Sequence, residues 1–243
     1  MLKGTRIEKH FGGLKAITNL DFEIHQGEIV GMIGPNGSGK TTLFNLISGL
    51  LKLDTGKIEF EGSTISGLAP YRIAALGVGR TFQIVRPLME LTLLENVTIA
   101  VLYGRSNVKT VDMAREIAMS ILTFIGLAPR FDNLPGQLGL EGRKRLEIAR
   151  ALGSKPKVLL LDEVFAGMNP KEIGGAIDLT FRIRDEYGVT VFMVEHVMKA
   201  IMRTCDRVIA LRNGMKIADG VPEMVANNPE VIRAYLGDNY AKN

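Results

Sequence analysis

The chain has 243 residues, of which 46% are hydrophobic, and it carries a formal net charge of +4. That length suits one large or two small domains with a substantial core. No apolar run approaches the roughly 18 residues of a membrane span, and residues 1–13 hold no apolar stretch suited to a signal peptide, so the sequence by itself predicts a cytoplasmic chain.

The N-terminal residues alternate as the strands of an antiparallel sheet do. The apolar positions that share a face are Leu20, Phe22 and Ile24, followed after the next predicted helix by Ile58 and Phe60. Phe11 lies in the same region and has two interpretations, because an exposed ring could stack on a nucleotide base whereas a buried ring belongs to the core. The sequence alone favours the core.

Residues 34–42, Gly-Pro-Asn-Gly-Ser-Gly-Lys-Thr-Thr, follow the pattern of a phosphate-binding P-loop, G-x-x-x-x-G-K-[ST]. Glycines let successive backbone N–H groups turn toward an anion, and the helix that follows adds the positive end of its dipole. Lys40 is expected to reach the outer phosphates and Thr41 to offer its hydroxyl to a magnesium ion. The predicted nucleotide contacts are Asn36, Gly37, Ser38, Gly39, Lys40, Thr41 and Thr42. A glycine-rich turn without a ligand is the alternative.

Between Gln83 and Gly136 the pattern changes to helical spacing, with frequent glycine and proline between the repeats. The repeating apolar positions are Leu94, Val97 and Val101 in one segment and Ile117, Ile121 and Ile125 in another. We interpret this region as a helical insertion at 84–139 in an α/β core formed by 1–83 and 140–243.

The apolar run at 158–161 predicts a strand buried on both faces, as in a parallel sheet, and it ends in Asp162 and Glu163. Ligands of open α/β sheets bind at such strand ends. Because consecutive side chains on a strand point oppositely, one carboxylate is expected to serve the magnesium and the other to polarise a water for attack on the γ-phosphate. A salt-bridged strand end is the alternative.

The C-terminal third repeats this organisation. Asn169 and Pro170 predict the start of a helix, and 189–194 predict a second buried strand that ends in Glu195 and His196. His196 could donate to a phosphate, although a lone histidine is more often structural. Asn213 and Gly214 are a hairpin signal, and 229–236 form a short amphipathic helix in this interpretation.

Two further features of the sequence are interpreted as structural and not as parts of a reactive or binding site. The single cysteine, Cys205, is interpreted as a small buried apolar residue. The one basic run, Arg143 to Arg145, is short, so we expect a solvated helix face there and no nucleic-acid partner.

These motifs together resemble the ATP-binding subunit of an ABC transporter over essentially the whole chain. The resemblance implies a P-loop NTPase core with a mostly parallel sheet, an N-terminal antiparallel β subdomain and an inserted α-helical subdomain. It implies ATP and Mg²⁺ as cofactors. The roles it assigns are adenine stacking to Phe11, magnesium contacts to Thr41, Gln83 and Asp162, the general base to Glu163, catalytic participation to Gln83, and a γ-phosphate contact to His196.

The same resemblance implies a head-to-tail dimer with two ATP molecules at its interface, each closed over by the signature motif of the partner. The second ATPase could be another copy of this chain or a different one. The helical insertion is expected to pass motion to membrane permease subunits, which places the chain peripherally on the cytoplasmic face of the membrane. A substrate-binding protein outside the membrane is an indirect partner.

Residues 138–142, Leu-Gly-Leu-Glu-Gly, stand where this family usually has L-S-G-G-Q. Gly139 lacks the serine hydroxyl that would meet the partner's γ-phosphate, so backbone N–H groups from Gly139 to Gly142 are expected to make that contact. Glu141 would repel a phosphate, and we predict that it faces away from the nucleotide and favours the helix dipole. Two smaller departures are Val164 in place of a frequent proline and Asn169 in place of a frequent aspartate, whose cross-dimer role stays open.

Residues 11–16, 145–152 and 228–237 resemble the branched-chain amino acid importer group within the family. ATP-driven uptake of branched-chain amino acids or related amides is therefore the expected function. The ATPase of a lipopolysaccharide-type export system and a soluble ATP-driven switch are the alternatives.

Overall fold

The computed structural model describes residues 1–82 and 87–236. Its strands are β1 (Leu2–Phe11), β2 (Leu14–Ile24), β3 (Ile29–Ile33), β4 (Thr55–Phe60), β5 (Ser63–Thr64), β6 (Val78–Arg80), β7 (Val158–Asp162), β8 (Thr190–Val194), β9 (Arg207–Arg212) and β10 (Met215–Gly220). Its helices are α1 (Lys40–Ile47), α2 (Pro70–Leu76), α3 (Leu93–Leu102), α4 (Val111–Ile125), α5 (Leu140–Gly153), α6 (Pro170–Tyr187), α7 (Met198–Thr204), α8 (Pro222–Ala226) and α9 (Pro229–Leu236). Short 3-10 turns occupy Ala128–Arg130 and Pro135–Gln137.

The N-terminal strands form the expected antiparallel sheet, in the order β2-β1-β4-β5. Leu20, Phe22 and Ile24 on β2 are buried together. Ile58 and Phe60 on β4 belong to the same apolar layer. The alternation that predicted this sheet is therefore confirmed, because side chains on one face of a strand recur every second residue.

The second sheet has the order β10-β9-β3-β8-β7-β6. Its neighbouring strands are parallel except in the β9-β10 hairpin, which turns at Asn213 and Gly214 as predicted. β3, β7 and β8 are buried along their whole length, which explains their continuous apolar sequences. Because these three strands are parallel, the P-loop, the Asp162-Glu163 pair and the Glu195-His196 pair all follow carboxyl ends at one edge of the sheet.

Alternate residues of the central strands face two apolar layers. The first layer lies between the two sheets and includes α1. In it, the ring centroids of Phe44 and Phe192 are 5.1 Å apart. The other layer packs helices α3 to α7 against the opposite face of the parallel sheet, around Leu159, Leu161 and Met193. The P-loop helix is thus held from both sides, which fixes the loop that precedes it.

The described residues between β6 and α5 contain helices and turns, as the helical spacing predicted. Leu94, Val97 and Val101 are buried on α3. On α4, however, Ile117 is 37% exposed, so its predicted place in the apolar stripe is wrong. Spacings of four residues drift around a helix with 3.6 residues per turn, and the stripe centres instead on Ala118 and Leu122. Among the described residues, no helix combines the length and apolar content needed to cross a membrane.

Candidate functional site

The P-loop connects β3 to α1 through a backbone conformation that requires glycine. Gly39 is the N-cap of α1 and has φ 105°, and a Cβ at this position would lie 2.6 Å from the carbonyl oxygen of Ala16. Gly37 has φ 78°. A side chain is therefore excluded at Gly39, where the loop backbone lies against β2.

Lys40, the first residue of α1, is 5% exposed and folds back over its own loop. Its Nζ donates to the carbonyl oxygens of Gly34 at 2.8 Å and Pro35 at 3.0 Å. Burial lowers the pKa of Lys40, and the carboxylates of Glu163 and Asp162 act in the opposite direction. An ammonium held by backbone carbonyls can exchange those partners for an anion that enters the loop.

Two C-terminal segments brace the P-loop. The N–H of Gly214, at the tip of the β9-β10 hairpin, donates to the carbonyl of Ser38 at 3.1 Å. The hydroxyl of Tyr235, on α9, accepts from the N–H of Gly34 at 2.7 Å. The sequence predicted both elements, but neither contact, because the partners are distant in the chain.

Asp162 ends β7 and is 2% exposed. Its Oδ2 accepts from the guanidinium of Arg80 at 3.0 Å, and Arg80 also donates to Asn45 on α1 and to Ser48, the C-cap of that helix. The other oxygen, Oδ1, is buried without a hydrogen-bond partner in the part of the chain that the structure describes. Burial raises the pKa of Asp162, while the hydrogen bond from Arg80 lowers it. The alternative of a salt-bridged strand end therefore applies to one oxygen of this carboxylate, and the second oxygen needs another partner.

Glu163 follows β7 in a left-handed backbone conformation, with φ 52°. A non-glycine residue in that region stores about 1 to 3 kcal/mol of strain and persists when surrounding contacts enforce it. Oε1 of Glu163 lies 2.9 Å from Nε2 of His196, which joins the ends of β7 and β8. Asp162 and Glu163 thus have different partners, but Glu163 lies beyond the strand, so its left-handed conformation and not strand alternation accompanies this difference.

The basic run on α5 departs from the expectation of a solvated face. Lys144 is 8% exposed, and its Nζ donates to backbone carbonyl oxygens of the turn that follows β7. Arg145 donates to Glu141 on its own helix and to the carbonyl of Ile125. The interpretation as a solvated face is wrong for Lys144 because a long side chain on a polar face can still reach backbone carbonyls beneath the helix.

Glu195, the residue before His196, is fully buried. Its carboxylate accepts from the N–H of Phe165 at 2.7 Å and from the N–H of His196 at 3.3 Å. Burial raises the pKa of Glu195 to about 7, although these two N–H donors and Lys144 act against that rise. Glu195 therefore connects the two strand ends that carry Glu163 and His196.

Most of the predicted site residues line one cavity of about 260 Å³. Its lining is Phe11, Leu14, Lys15, Ala16, Asn36, Gly37, Ser38, Gly39, Lys40, Thr41, Thr42, Glu163 and His196. Phe11 is 45% exposed at the end of β1, so the interpretation of Phe11 as a core residue is wrong. Cys205 is buried as predicted, and burial raises the pKa of its thiol.

Four predicted site residues need separate mention, and one of them, Asp162, ends β7 outside this lining. Gln83 falls outside the described residues. Gly139 and Gly142 do not line this cavity, and Gly139 is instead the N-cap of α5. Glu141 pairs with Arg145 at 2.8 Å in the first turns of that helix. Its orientation toward a nucleotide on a partner chain stays a prediction.

Sequence reasoning missed Arg80 and the buried role of Lys144. Arg80 carried no signal, because a single arginine after a short strand is unremarkable. Lys144 carried a misleading one, since its two basic neighbours suggested solvent exposure. Asn169 was predicted as an N-cap and accepts from the N–H groups of Lys171 and Glu172 in a capping box.

Family comparison places this geometry among known proteins. A family model described as ABC transporter matches residues 17–166, which include the P-loop, Asp162 and Glu163. The chain belongs to the ABC transporter ATP-binding family. A second model, described as branched-chain amino acid ATP-binding cassette transporter, matches residues 215–241.

Relatives of this ABC ATPase extend over nearly the whole chain. BraF of Pseudomonas aeruginosa, named a high-affinity branched-chain amino acid transport ATP-binding protein, is 37% identical over 250 residues and 98% of each chain. LivG of Escherichia coli K12, named in the same way, is 39% identical over 240 residues and 94% of each chain.

Solved structures confirm the fold class of this ABC ATPase. An ATP-binding cassette of an ABC transporter in its ADP conformation matches with a TM-score of 0.88 and 32% identity, over 98% of this chain and 99% of that one. A dimeric cassette bound to ADP and phosphate after hydrolysis matches with a TM-score of 0.82 and 27% identity, over 91% and 99% of the two chains. The chain is a nucleotide-binding ATPase of this family.

Proposed function

We propose that this ATPase hydrolyses Mg²⁺-ATP to energise the uptake of branched-chain amino acids or related amides. The observation that carries the catalytic part is the contact of Glu163 with His196 at 2.9 Å, beside a P-loop that lines the same cavity. A carboxylate and an imidazole next to a phosphate-binding loop can activate water and stabilise developing charge on a phosphate. The substrate class is supported by the names of the relatives BraF and LivG.

The residues around Asp162 fit a magnesium ion. The Oδ1 atom of Asp162 is buried without a hydrogen-bond partner in the described part of the chain, and Thr41 offers a hydroxyl oxygen next to Lys40 on α1. Mg²⁺ prefers oxygen ligands and is commonly bound through one or two protein groups together with substrate phosphates. We assign Asp162, Thr41 and Gln83 to this ion, which would neutralise charge on the β- and γ-phosphates.

The positions of the side chains support the remaining roles that we propose. Glu163 acts as general base toward the attacking water, and His196 both orients that carboxylate and contacts the γ-phosphate. Lys40 leaves its carbonyl partners to bind the outer phosphates, while the loop N–H groups from Asn36 to Thr42 hold the chain of phosphates. Phe11, exposed at the rim of the cavity, stacks on the adenine.

The complete site requires a second ATPase, and two copies of this chain or this chain with a different one would each satisfy that need. In the proposed dimer, Gly139 to Gly142 of one chain approach the nucleotide on the other. The core at 1–83 and 140–243 holds the nucleotide, whereas the insertion at 84–139 contacts membrane permease subunits at the cytoplasmic face. A substrate-binding protein delivers the amino acid to those permeases.

Two substitutions separate chemistry from binding. Glu163→Gln removes the general base and is expected to lower kcat about 100-fold or more while the Kd for ATP stays within about threefold. Lys40→Ala is expected to weaken ATP binding itself, because it removes a charge-assisted contact. Purified protein is assayed for phosphate release and for binding of ATP. Unchanged turnover of Glu163→Gln would remove Glu163 from the role of base.

The transport assignment needs its own experiment. The chain is purified together with the membrane subunits that bind it and reconstituted in vesicles with a candidate binding protein. We expect leucine, isoleucine or valine to enter the vesicles only with ATP on the side of this chain. Entry of none of these amino acids, in vesicles whose ATPase is active, would contradict the substrate assignment and leave the ATPase intact.

A further inference from the structure

Lys144 makes three hydrogen bonds to the backbone of one turn. Its Nζ donates to the carbonyl oxygens of Glu163 at 2.9 Å, Val164 at 3.1 Å and Ala166 at 2.5 Å. An ammonium group has three donors and no acceptor, so these carbonyls use its full capacity. The side chain therefore connects α5 to residues 163–166, which we call the base turn.

The base turn is also held from the sheet. The N–H of Glu163 donates to the carbonyl of Val194 at 2.9 Å, at the end of β8. The N–H of Phe165 donates to the buried carboxylate of Glu195 at 2.7 Å. These contacts fix the N–H groups of the turn, whereas Lys144 fixes its carbonyl groups.

The conformation of the base turn needs such support. Glu163 has φ 52°, a region in which a side chain crowds its own backbone. A residue stays there when neighbouring contacts leave the chain no other conformation. That conformation sends the carboxylate of Glu163 to His196, so any relaxation of the turn moves the carboxylate away from its partner.

The surroundings of Lys144 affect its charge in two opposing ways. Burial lowers the pKa of Lys144, but the nearby carboxylates of Glu195 and Glu163 favour the charged form. The other two members of the basic run differ, because Arg145 pairs with Glu141 and both Arg143 and Arg145 are less buried than Lys144. One cation of the run is thus selected for the interior.

We propose that Lys144 is a positioning residue for catalysis, which holds the base turn so that the carboxylate of Glu163 faces the attacking water. This inference rests on the proposed role of Glu163. Lys144 is not itself part of the cavity lining, and Glu163 is the lining residue to which it donates, so it acts through Glu163 and leaves nucleotide binding to other residues. Because Gly139 is the N-cap of α5, Lys144 also links the end of the helix that would meet the partner's nucleotide to the base of its own chain.

The kinetic test compares Lys144→Met with Lys144→Arg and with Lys52→Met, a control at an exposed position. Methionine is an unbranched side chain one atom shorter than lysine, and it removes the hydrogen-bond donors. We expect Lys144→Met to lower kcat about tenfold or more with KM for ATP within about threefold, and Lys144→Arg to recover part of that loss. Lys52→Met should match the unmodified protein. A rise in KM with unchanged kcat, or full activity of Lys144→Met, would overturn the proposal.

A double substitution tests whether Lys144 acts through Glu163. In a chain that already carries Glu163→Gln, Lys144→Met should lower the residual rate by less than about twofold, because residues that act as one unit are not additive. A further loss as large as that of Lys144→Met alone would mean that Lys144 acts elsewhere. Lys144→Gln, which keeps a polar head group, replaces Lys144→Met if the methionine variant fails to fold, with the same expected and contrary results.

Hydrogen exchange gives a readout that does not depend on ATPase activity. The amide of Phe165 should exchange about tenfold faster or more in Lys144→Met, while amides of β3 keep their rates. Equal exchange at Phe165 in both proteins would overturn the positioning role even if the ATPase assignment is correct. Conversely, if Glu163→Gln proves fully active, the proposed function of Glu163 fails while this measurement still reports whether Lys144 holds the turn.

Discussion

The guanidinium of Arg80 donates to Oδ2 of Asp162 at 3.0 Å, and both side chains are almost fully buried, at 6% and 2% exposure. Arg80 also bonds to Asn45 and Ser48, so one cation connects the end of β6, the end of β7 and the P-loop helix. The arginine leaves Oδ1 of Asp162 unpaired in the described residues while fixing the direction of the carboxylate.

Arg80→Met should destabilise the protein strongly. Removal of one partner leaves a buried, uncompensated carboxylate, which costs about 3 to 5 kcal/mol of unfolding free energy. Urea denaturation at neutral pH measures the change. Addition of Asp162→Asn to Arg80→Met should recover a large part of the loss, since no charge is then left unpaired. Lys57→Met, which breaks an exposed pair with Glu59, is the control and should cost less than about 1 kcal/mol. A loss that small for Arg80→Met would contradict the expectation.

Glu195 should make stability depend on pH. Its pKa is raised by burial to about 7 from 4.5, so the folded chain binds the proton more tightly than the unfolded chain. The stabilising contribution is complete below pH 4.5 and is lost as the pH rises through about 7, by about 3 kcal/mol in total. Glu195→Gln does not titrate. The difference between the unfolding free energies of the two proteins, measured from about pH 5 to pH 8, should therefore change with this sign. If the unfolding free energies of the two proteins change in parallel with pH, burial does not raise the pKa of Glu195.

Gly139→Ser should be tolerated and slightly stabilising. A Cβ at Gly139 meets no atom within 4 Å, and the residue already has the extended conformation of an N-cap, with φ −66° and ψ 178°. A serine hydroxyl can accept a hydrogen bond from a backbone N–H of the first turn of α5. This bond should raise the free energy of unfolding by about 0.3 kcal/mol relative to glycine. Gly142→Ser is the contrast, because a Cβ there lies 3.2 Å from Cβ of Leu138. Thermal unfolding of both variants checks the order, and a lower Tm for Gly139→Ser than for Gly142→Ser would refute it.

Tyr235→Phe should weaken the P-loop from the far end of the chain. The substitution removes the hydroxyl that accepts from the N–H of Gly34 at 2.7 Å and leaves that donor unpaired in a part-buried place. We expect a loss of about 1 kcal/mol in unfolding free energy, together with weaker ATP binding by about two- to fivefold. Tyr103→Phe is the matched control, because Tyr103 is 88% exposed. Equal effects of the two substitutions would mean that the Gly34 contact contributes nothing.

The sequence was sufficient for the elements that depend on local pattern. Continuous apolar runs identified β7 and β8, glycine spacing identified the P-loop, and the Asn169-Pro170 pair identified the start of α6. These signals are local because each reflects a period, a turn or a cap that neighbouring residues decide.

The contacts that complete the site were beyond such reasoning. Lys144 looks solvated in its sequence context, and only the packing of α5 over the base turn brings its ammonium to three carbonyls. Phe11 was placed in the core because its strand position does not reveal that β1 ends at the cavity. Arg80 and Tyr235 act across long sequence separations, where one sequence contains no information on pairing.

The position of β3 has a consequence for synthesis of the chain. This strand lies between β8 and β9, and the residue after it bonds to Tyr235, 201 positions downstream. A ribosome completes the N-terminus first, so β3 emerges long before any neighbour in its sheet exists. A truncated product that stops before β8 would expose both edges of an apolar strand, which is a template for aggregation. The nucleotide site is therefore among the last parts of the molecule to become functional during translation.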